Sequence, residues 1–112
     1  MKATVAGFNP IYSEDSPLPE EISALEGFSV IEFGTPWCGH CKAAQRAIEA
    51  VLATKELAHI KIYDGKGKPL GRSFKVKLWP TLILLKDGQE ISRLVRPLKV
   101  DEVESLLAAA TI

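Results

Sequence analysis

The apolar positions change period along the chain, and each change marks an element. Lys2 to Ala6 reads as a short strand. Ser16-Pro17, followed by Pro19-Glu20-Glu21 and then Ile22 and Leu25, carries the prolines and acids of a short capped helix. Phe28 to Phe33, bounded by Gly27 and Gly34, predicts a strand, and Ala58 to Tyr63 another, with Ile60 and Ile62 alternating against His59, Lys61 and Tyr63. Between them Cys41, Ala44, Ile48, Val51 and Leu52 step by three and four. That spacing gathers them into one buried stripe and turns Lys42, Gln45, Arg46 and Glu49 to water. Strand, helix and strand in that order predict a parallel β-α-β unit.

Beyond it the pattern changes. Asp64 to Gly71 reads as loop, with a helical turn near Leu70 to Phe74 before Pro80. Thr81 to Leu85 and Glu90 to Val95 flank Lys86-Asp87-Gly88-Gln89, where Asp-Gly supplies the positive φ angles of a tight hairpin. Val100, Val103, Leu106, Leu107 and Ala110 mark a last amphipathic helix, with Asp101 and Glu102 in its first turn where the helix dipole favours acids. No repeat or linker interrupts the order. The prediction is a single α/β domain over residues 1–112, a central mixed sheet flanked by helices.

Composition agrees and narrows the function. At 112 residues the chain is shorter than the roughly 150 that serve as a one-domain prior. It is still long enough to bury roughly two-thirds of its unfolded surface without staples. Hydrophobic residues at 46% and charged residues at 25% exclude a disordered or low-complexity chain. Fourteen basic and 14 acidic residues cancel, so the net field argues for neither nucleic acid nor an anionic membrane as partner. The function must reside in a local constellation. Met1 to Phe8 has one lysine ahead of a run broken by Thr4 and Gly7, which is no signal peptide. The longest apolar run, Leu78 to Leu85, is broken by Pro80 and Thr81 and falls far below the roughly 18 residues of a membrane span. A cytoplasmic protein is expected, with a periplasmic or secreted one as the alternative had a signal been removed.

The two cysteines, Cys38 and Cys41, are separated by Gly39 and His40 at the junction of the predicted strand and helix. Positions three apart at a helix start bring their β-carbons close to the separation a disulfide requires. As a staple the bond is poor, since closing so short a loop restricts the unfolded chain by only about 2 kcal/mol. Reversible redox work explains it better. The helix N-terminus offers unpaired N–H groups and partial positive charge that favour a thiolate, and Cys38 sits where it receives them. Cys41 lies on the buried stripe, so Cys38 is the expected nucleophile and Cys41 the resolving thiol. His40, when protonated, adds positive charge beside Cys38, and the Gly39-His40 dipeptide is expected to tune the redox balance. A zinc site would have to recruit His40 and His59 and has no second cysteine pair, so no metal is expected.

These residues also carry a resemblance. Phe33-Gly34-Thr35-Pro36-Trp37-Cys38-Gly39-His40-Cys41-Lys42 resembles the active-site segment of the thioredoxin superfamily, and its Trp-Cys-Gly-His-Cys-Lys core is similar to that of protein disulfide isomerase domains. Trp79-Pro80-Thr81 is similar to the superfamily's cis-proline loop. The resemblance runs from about Gly27 to the last helix and implies a thioredoxin fold. It implies that Glu32 is a buried carboxyl exchanging a proton with Cys41, its pKa raised by burial, with Lys61 on the neighbouring strand as a candidate basic partner. It implies a substrate surface of Trp37, Trp79, Pro80, Thr81 and Arg96, in which a cis Pro80 stacks beside the dithiol, keeps metal away and frees the backbone of Trp79 to pair with an extended substrate. Three positions depart from the pattern. Gly34 stands where a second tryptophan is usual, Arg46 replaces a kinking proline, and Arg96 with Pro97 replaces a glycine of the substrate groove.

The sequence therefore predicts a thiol-disulfide oxidoreductase that reduces protein disulfides. It needs no tightly bound cofactor beyond the Cys38–Cys41 redox pair, draws electrons from a reductase of the thioredoxin reductase type, and works as a monomer. A disulfide oxidase or isomerase is the alternative the Gly-His dipeptide favours, and a thioredoxin-like adaptor or metal-delivery module is the alternative from another class. Gly65, Gly67 and Gly71 miss the dinucleotide-binding spacing and read as loop. Lys66, Lys68, Arg72, Lys75 and Lys77 read as a solvated face, with a docking patch for an acidic partner as the alternative.

Overall fold

Runs as apolar as Phe28 to Gly34 and Thr81 to Leu85 need cover on both faces, and the architecture provides it. The computed structural model describes residues 3–110. In chain order the elements are β1 (Thr4–Ala6), α1 (Pro19–Ser23), β2 (Phe28–Gly34), α2 (Gly39–Leu52), β3 (Ala58–Tyr63), α3 (Pro69–Ser73), β4 (Thr81–Lys86), β5 (Gln89–Val95) and α4 (Val100–Leu107). The strands form one sheet in the order β1-β3-β2-β4-β5. β2 and β3 are parallel, joined through α2, and the remaining neighbours are antiparallel. This is the mixed sheet that the β-α-β unit and the hairpin predicted.

Register decides which side chains meet which helices. Val30 and Glu32 of β2, His59 and Lys61 of β3, and Leu82 and Leu84 of β4 share one face. There the apolar members pack with Ile48 and Leu52 of α2 and with Val103 and Leu106 of α4. Ile31, Phe33, Ile60, Ile62, Ile83 and Leu85 take the other face, against Ile22 of α1 and Leu70 of α3. Phe33 pairs with Thr81 across the sheet, so the end of β2, which feeds α2, lies beside the start of β4. That juxtaposition brings Trp79-Pro80 next to the cysteines.

Where the elements differ from expectation, the causes are local. Lys2, expected at the start of the first strand, lies outside the described residues. The first helix begins at Pro19, not at Ser16, because a residue before proline is pushed out of the helical region. Leu18 is accordingly extended, with ψ 152°, and Glu21 reaches back to accept its N–H at 3.0 Å. The polar positions of β3 do not face water, since both faces of that strand are covered and His59 and Lys61 are buried. Gln45, expected on the wet face of α2, is half-buried.

The hairpin has the chemistry its sequence announced, with Asp87 at φ 51° and Gly88 at φ 78°. Gly88 also packs against the end of α1, where an added methyl would come within 2.8 Å of Ser23 Cα and closer still to the carbonyl of Ile22. We expect Gly88→Ala to lose about 1–2 kcal/mol from the left-handed backbone alone, with the collision added to it. A urea denaturation midpoint that does not fall would show the turn to be slack.

Candidate active site

The end of β2 turns through Thr35 to Trp37 and enters α2 with Cys38 as its N-cap. Cys38 is half-buried and Cys41, one turn on, is fully buried. The Cys41 backbone N–H donates to Cys38 Sγ at 3.3 Å, so the helix's own unpaired donor points at the outer sulfur. Both residues are free thiols. Burial, with the hydrogen bond that the Cys41 S–H gives to Cys38, pushes the Cys41 thiol up to about 12, against the opposing pull of the Thr35 amide and the Tyr12 hydroxyl. Gly39 and His40 occupy the exposed first turn between the sulfurs.

The Trp79–Pro80 peptide is cis, and Pro80 is buried beside this turn. The Trp79 carbonyl faces Cys38 Sγ at 3.9 Å. That carbonyl was expected to be free for a substrate backbone, and it is not, since Arg96 Nε donates to it at 2.9 Å. Arg96 is placed for this by a left-handed φ of 54° and by its own N–H bonding Pro80 O at 2.9 Å. Trp37, 63% exposed, stands edge-on to Trp79 with ring centroids 5.8 Å apart. Each indole N–H is anchored, Trp37 to Tyr63 Oη and Trp79 to Asp64 Oδ2, both at 2.9 Å. Thr81 is buried and donates to Leu78 O at 2.7 Å, so its hydroxyl braces the loop and does not face outward. Trp37, Trp79, Pro80 and Arg96 are thus brought round Cys38, with Thr81 behind them.

Glu32 has no exposed surface. His59 Nε2 donates to its Oε1 at 2.8 Å, while Gln45 Nε2 (3.0 Å) and the Tyr12 hydroxyl donate to Oε2. His59 Nδ1 accepts the Asn9 N–H at 2.9 Å, which assigns the ring's proton to Nε2. The expected rise in the Glu32 pKa is therefore reversed. Burial alone would raise it, but the hydrogen bond from His59, the charge of Lys61 and the Tyr12 hydroxyl hold the carboxyl below the usual carboxylate range. Lys61 lies beside Glu32 in the strand register, yet its ammonium donates to Asn9 O at 3.0 Å and to Gln45 Oε1, not to the carboxylate. Burial pushes the lysine down, partly offset by the Glu32 charge. Tyr12, Gln45 and His59 are the site residues that sequence reasoning missed. His59 was visible only as a candidate zinc ligand, and among the described residues no cluster of three or more metal-ligating side chains forms.

A carboxyl whose folded pKa lies below its unfolded one stabilises the fold above the ordinary carboxylate range, and that contribution drains away as pH falls towards the folded value. Glu32→Gln cannot ionise and turns an amide N–H₂ towards existing donors. We expect it to cost roughly 1–3 kcal/mol for each donor left unpaired at neutral pH, with the gap to wild type narrowing on acidification. Urea midpoints across that range check the sign, and a gap that stays constant would show that Glu32 is not held ionised.

The chain is similar to known proteins. The sequence model of the family described as thioredoxin matches residues 10–109. Thioredoxin of Chlamydia trachomatis is 39% identical over 77 residues, covering 65% of this chain and 72% of that protein. A protein disulfide-isomerase of Datisca glomerata is 31% identical over 104 residues, but the match covers only 20% of that much longer protein. Reduced thioredoxin 2 from Pseudomonas aeruginosa superposes with a TM-score of 0.76 at 47% identity, covering 84% of this chain and 88% of that one. With its thioredoxin fold and its Cys38–Cys41 pair at the head of α2, the chain belongs to the thioredoxin family of thiol-disulfide oxidoreductases.

Proposed function

We propose that this chain reduces protein disulfides through a mixed disulfide on Cys38 that Cys41 resolves, in a reducing compartment and with electrons returned by a reductase-type donor. The observation that carries the reading is the asymmetry of the thiols: Cys38 is the half-exposed helix cap receiving an N–H at 3.3 Å, and Cys41 is buried one turn behind it. Only a thiolate attacks, and only the capped, accessible sulfur is placed to do so. Cys38 forms a bond to one sulfur of the substrate disulfide, whose S–S bond breaks and whose other sulfur leaves with the electron pair. Cys41 then bonds Cys38 Sγ and expels the remaining substrate sulfur. Two electrons pass from the dithiol to the substrate, and Glu32, held as carboxylate, receives the Cys41 proton.

Arg96 gives the substrate surface its particular character, because a bound backbone N–H would share Trp79 O with its guanidinium. Exposed His40, two residues from Cys38, supports the second reading, an oxidase or isomerase, since a protonated imidazole there would stabilise the reduced form. Turnover of disulfide-bonded insulin separates either reading from a non-catalytic adaptor.

Cys41→Ser is expected to accumulate the mixed disulfide, whereas Cys38→Ser forms none and loses reduction altogether. Mass spectrometry after mixing with substrate reads this directly, and an adduct trapped on the Cys38 variant alone would reverse the roles. His40→Pro is expected to lower the reduction potential in a glutathione titration, and an unchanged or higher potential would remove His40 from the tuning.

A further inference from the structure

On the reading above, resolution moves a proton from Cys41 to Glu32, and a phenol stands between them. Tyr12 donates to Glu32 Oε2. A methyl added at Gly34 would fall 2.6 Å from Tyr12 Oη and 2.7 Å from Cys41 Sγ, so the hydroxyl and the sulfur converge on the one place where β2 has no side chain. The phenol is held there from several sides. Ser13 clips its segment to β3, donating to Lys61 O and accepting from Tyr63 N at 2.9 Å each. The Lys61 ammonium lies 4.5 Å from the ring centroid, and Gln45 Nε2 donates to Oη at 3.3 Å. Tyr12 and Cys41 also line a cavity of about 450 Å³ that opens behind the dithiol, whereas Glu32 is sealed.

We propose that Tyr12 is the proton carrier between Cys41 and Glu32 in the resolving step, an assignment that rests on the dithiol reading above. Cys41 S–H passes its proton to Tyr12 Oη as Tyr12 passes its own to Glu32 Oε2. The Cys41 sulfur, now a thiolate, forms its bond to Cys38 Sγ, the bond from Cys38 to the substrate sulfur breaks, and the electron pair leaves on that sulfur. Tyr12 is a neutral phenol before and after, Glu32 ends protonated, and no further reactant is consumed. Burial and the neighbouring Glu32 charge push the Tyr12 hydroxyl far above the ordinary phenol range, so a free phenoxide is avoided and the two protons move together. The charged and titratable groups facing the relay are Glu32 from β2, His59 and Lys61 from β3, Cys38 from α2, and Lys42, Glu14 and Tyr63 at the cavity wall. Through the cavity-lining phenol the sealed carboxyl returns its proton to water.

Single-turnover reduction of a disulfide substrate by the full chain separates attack, read as appearance of the mixed disulfide, from resolution, read as its decay. Tyr12→Phe keeps the ring and is expected to leave attack unchanged while slowing decay roughly 100-fold at neutral pH, the lower end of what a positioned acid-base group supplies. The variant's decay should then climb steeply with pH as hydroxide takes over, while the wild type stays flat. Decay at the wild-type rate, or attack and decay slowed together, would overturn the assignment. Should the variant fold poorly, the wild type decides: a plot of decay rate against deuterium fraction that bows reflects two protons in flight, and a straight line overturns the relay. A wild type that forms no adduct on Cys38 overturns the dithiol reading itself, before any variant is compared.

Discussion

A carboxylate cut off from water must recover inside the protein every hydrogen bond it gave up, or its burial costs several kcal/mol. Glu32 recovers them from three directions: His59 on β3, Gln45 on α2 and Tyr12 on the segment before α1. Each donor brings its own unsatisfied end. His59 Nδ1 takes the Asn9 N–H, Gln45 Oε1 takes the Lys61 ammonium, and that ammonium takes Asn9 O. The Asn9 side chain closes the chain on backbone, donating to Ala3 O at 2.7 Å and His59 O at 3.2 Å. The stretch between β1 and α1, almost bare of regular structure, is fixed because the charge behind it needs those partners.

The dithiol sits on the boundary of that arrangement. α2 starts at the surface and turns inward within a single turn, so two cysteines three residues apart meet different surroundings while remaining close enough to exchange a bond. The outer sulfur faces the helix's unpaired N–H, and the inner one faces Tyr12 and the buried polar network. The proposed nucleophile and resolving thiol are thus distinguished by the geometry of one helix start. The indoles and Arg96 then restrict what reaches the outer sulfur, since Trp37 and Trp79 are pinned by their own N–H bonds and the Trp79 carbonyl is already engaged.

The parallel β-α-β unit, the antiparallel hairpin and the position of the dithiol were legible because they follow from period and spacing. β3 shows where that legibility ends. The alternation of Ile60 and Ile62 with His59 and Lys61 is the pattern of a half-exposed strand, and a strand whose polar side faces a buried network has the same pattern. Gln45 was misplaced for the same reason, because its helical position borders the apolar stripe and periodicity cannot tell a wet edge from a polar interior. Tyr12 left no signal at all. Its partners lie 20 and 33 residues away, in a segment with neither strand nor helix period to orient it.

The departures from the family pattern become connected once the contacts are known. Gly34 looked like a lost tryptophan, a deletion at the edge of the substrate surface. In space the loss makes room, because any Cβ there would press on both Tyr12 Oη and Cys41 Sγ. A side chain missing from β2 is therefore compensated by one arriving from the N-terminal segment, and the incoming group carries a hydroxyl that indole lacks. Arg46, in place of a kinking proline, leaves α2 unbroken from Gly39 to Leu52, and in that helix Gln45 spans the Cys41 carbonyl, the Glu32 carboxylate and the Lys61 ammonium. Restoring the usual tryptophan at position 34 alone would force Tyr12 out and strip Glu32 of a donor, so the two sites form one polar interior that can change only together.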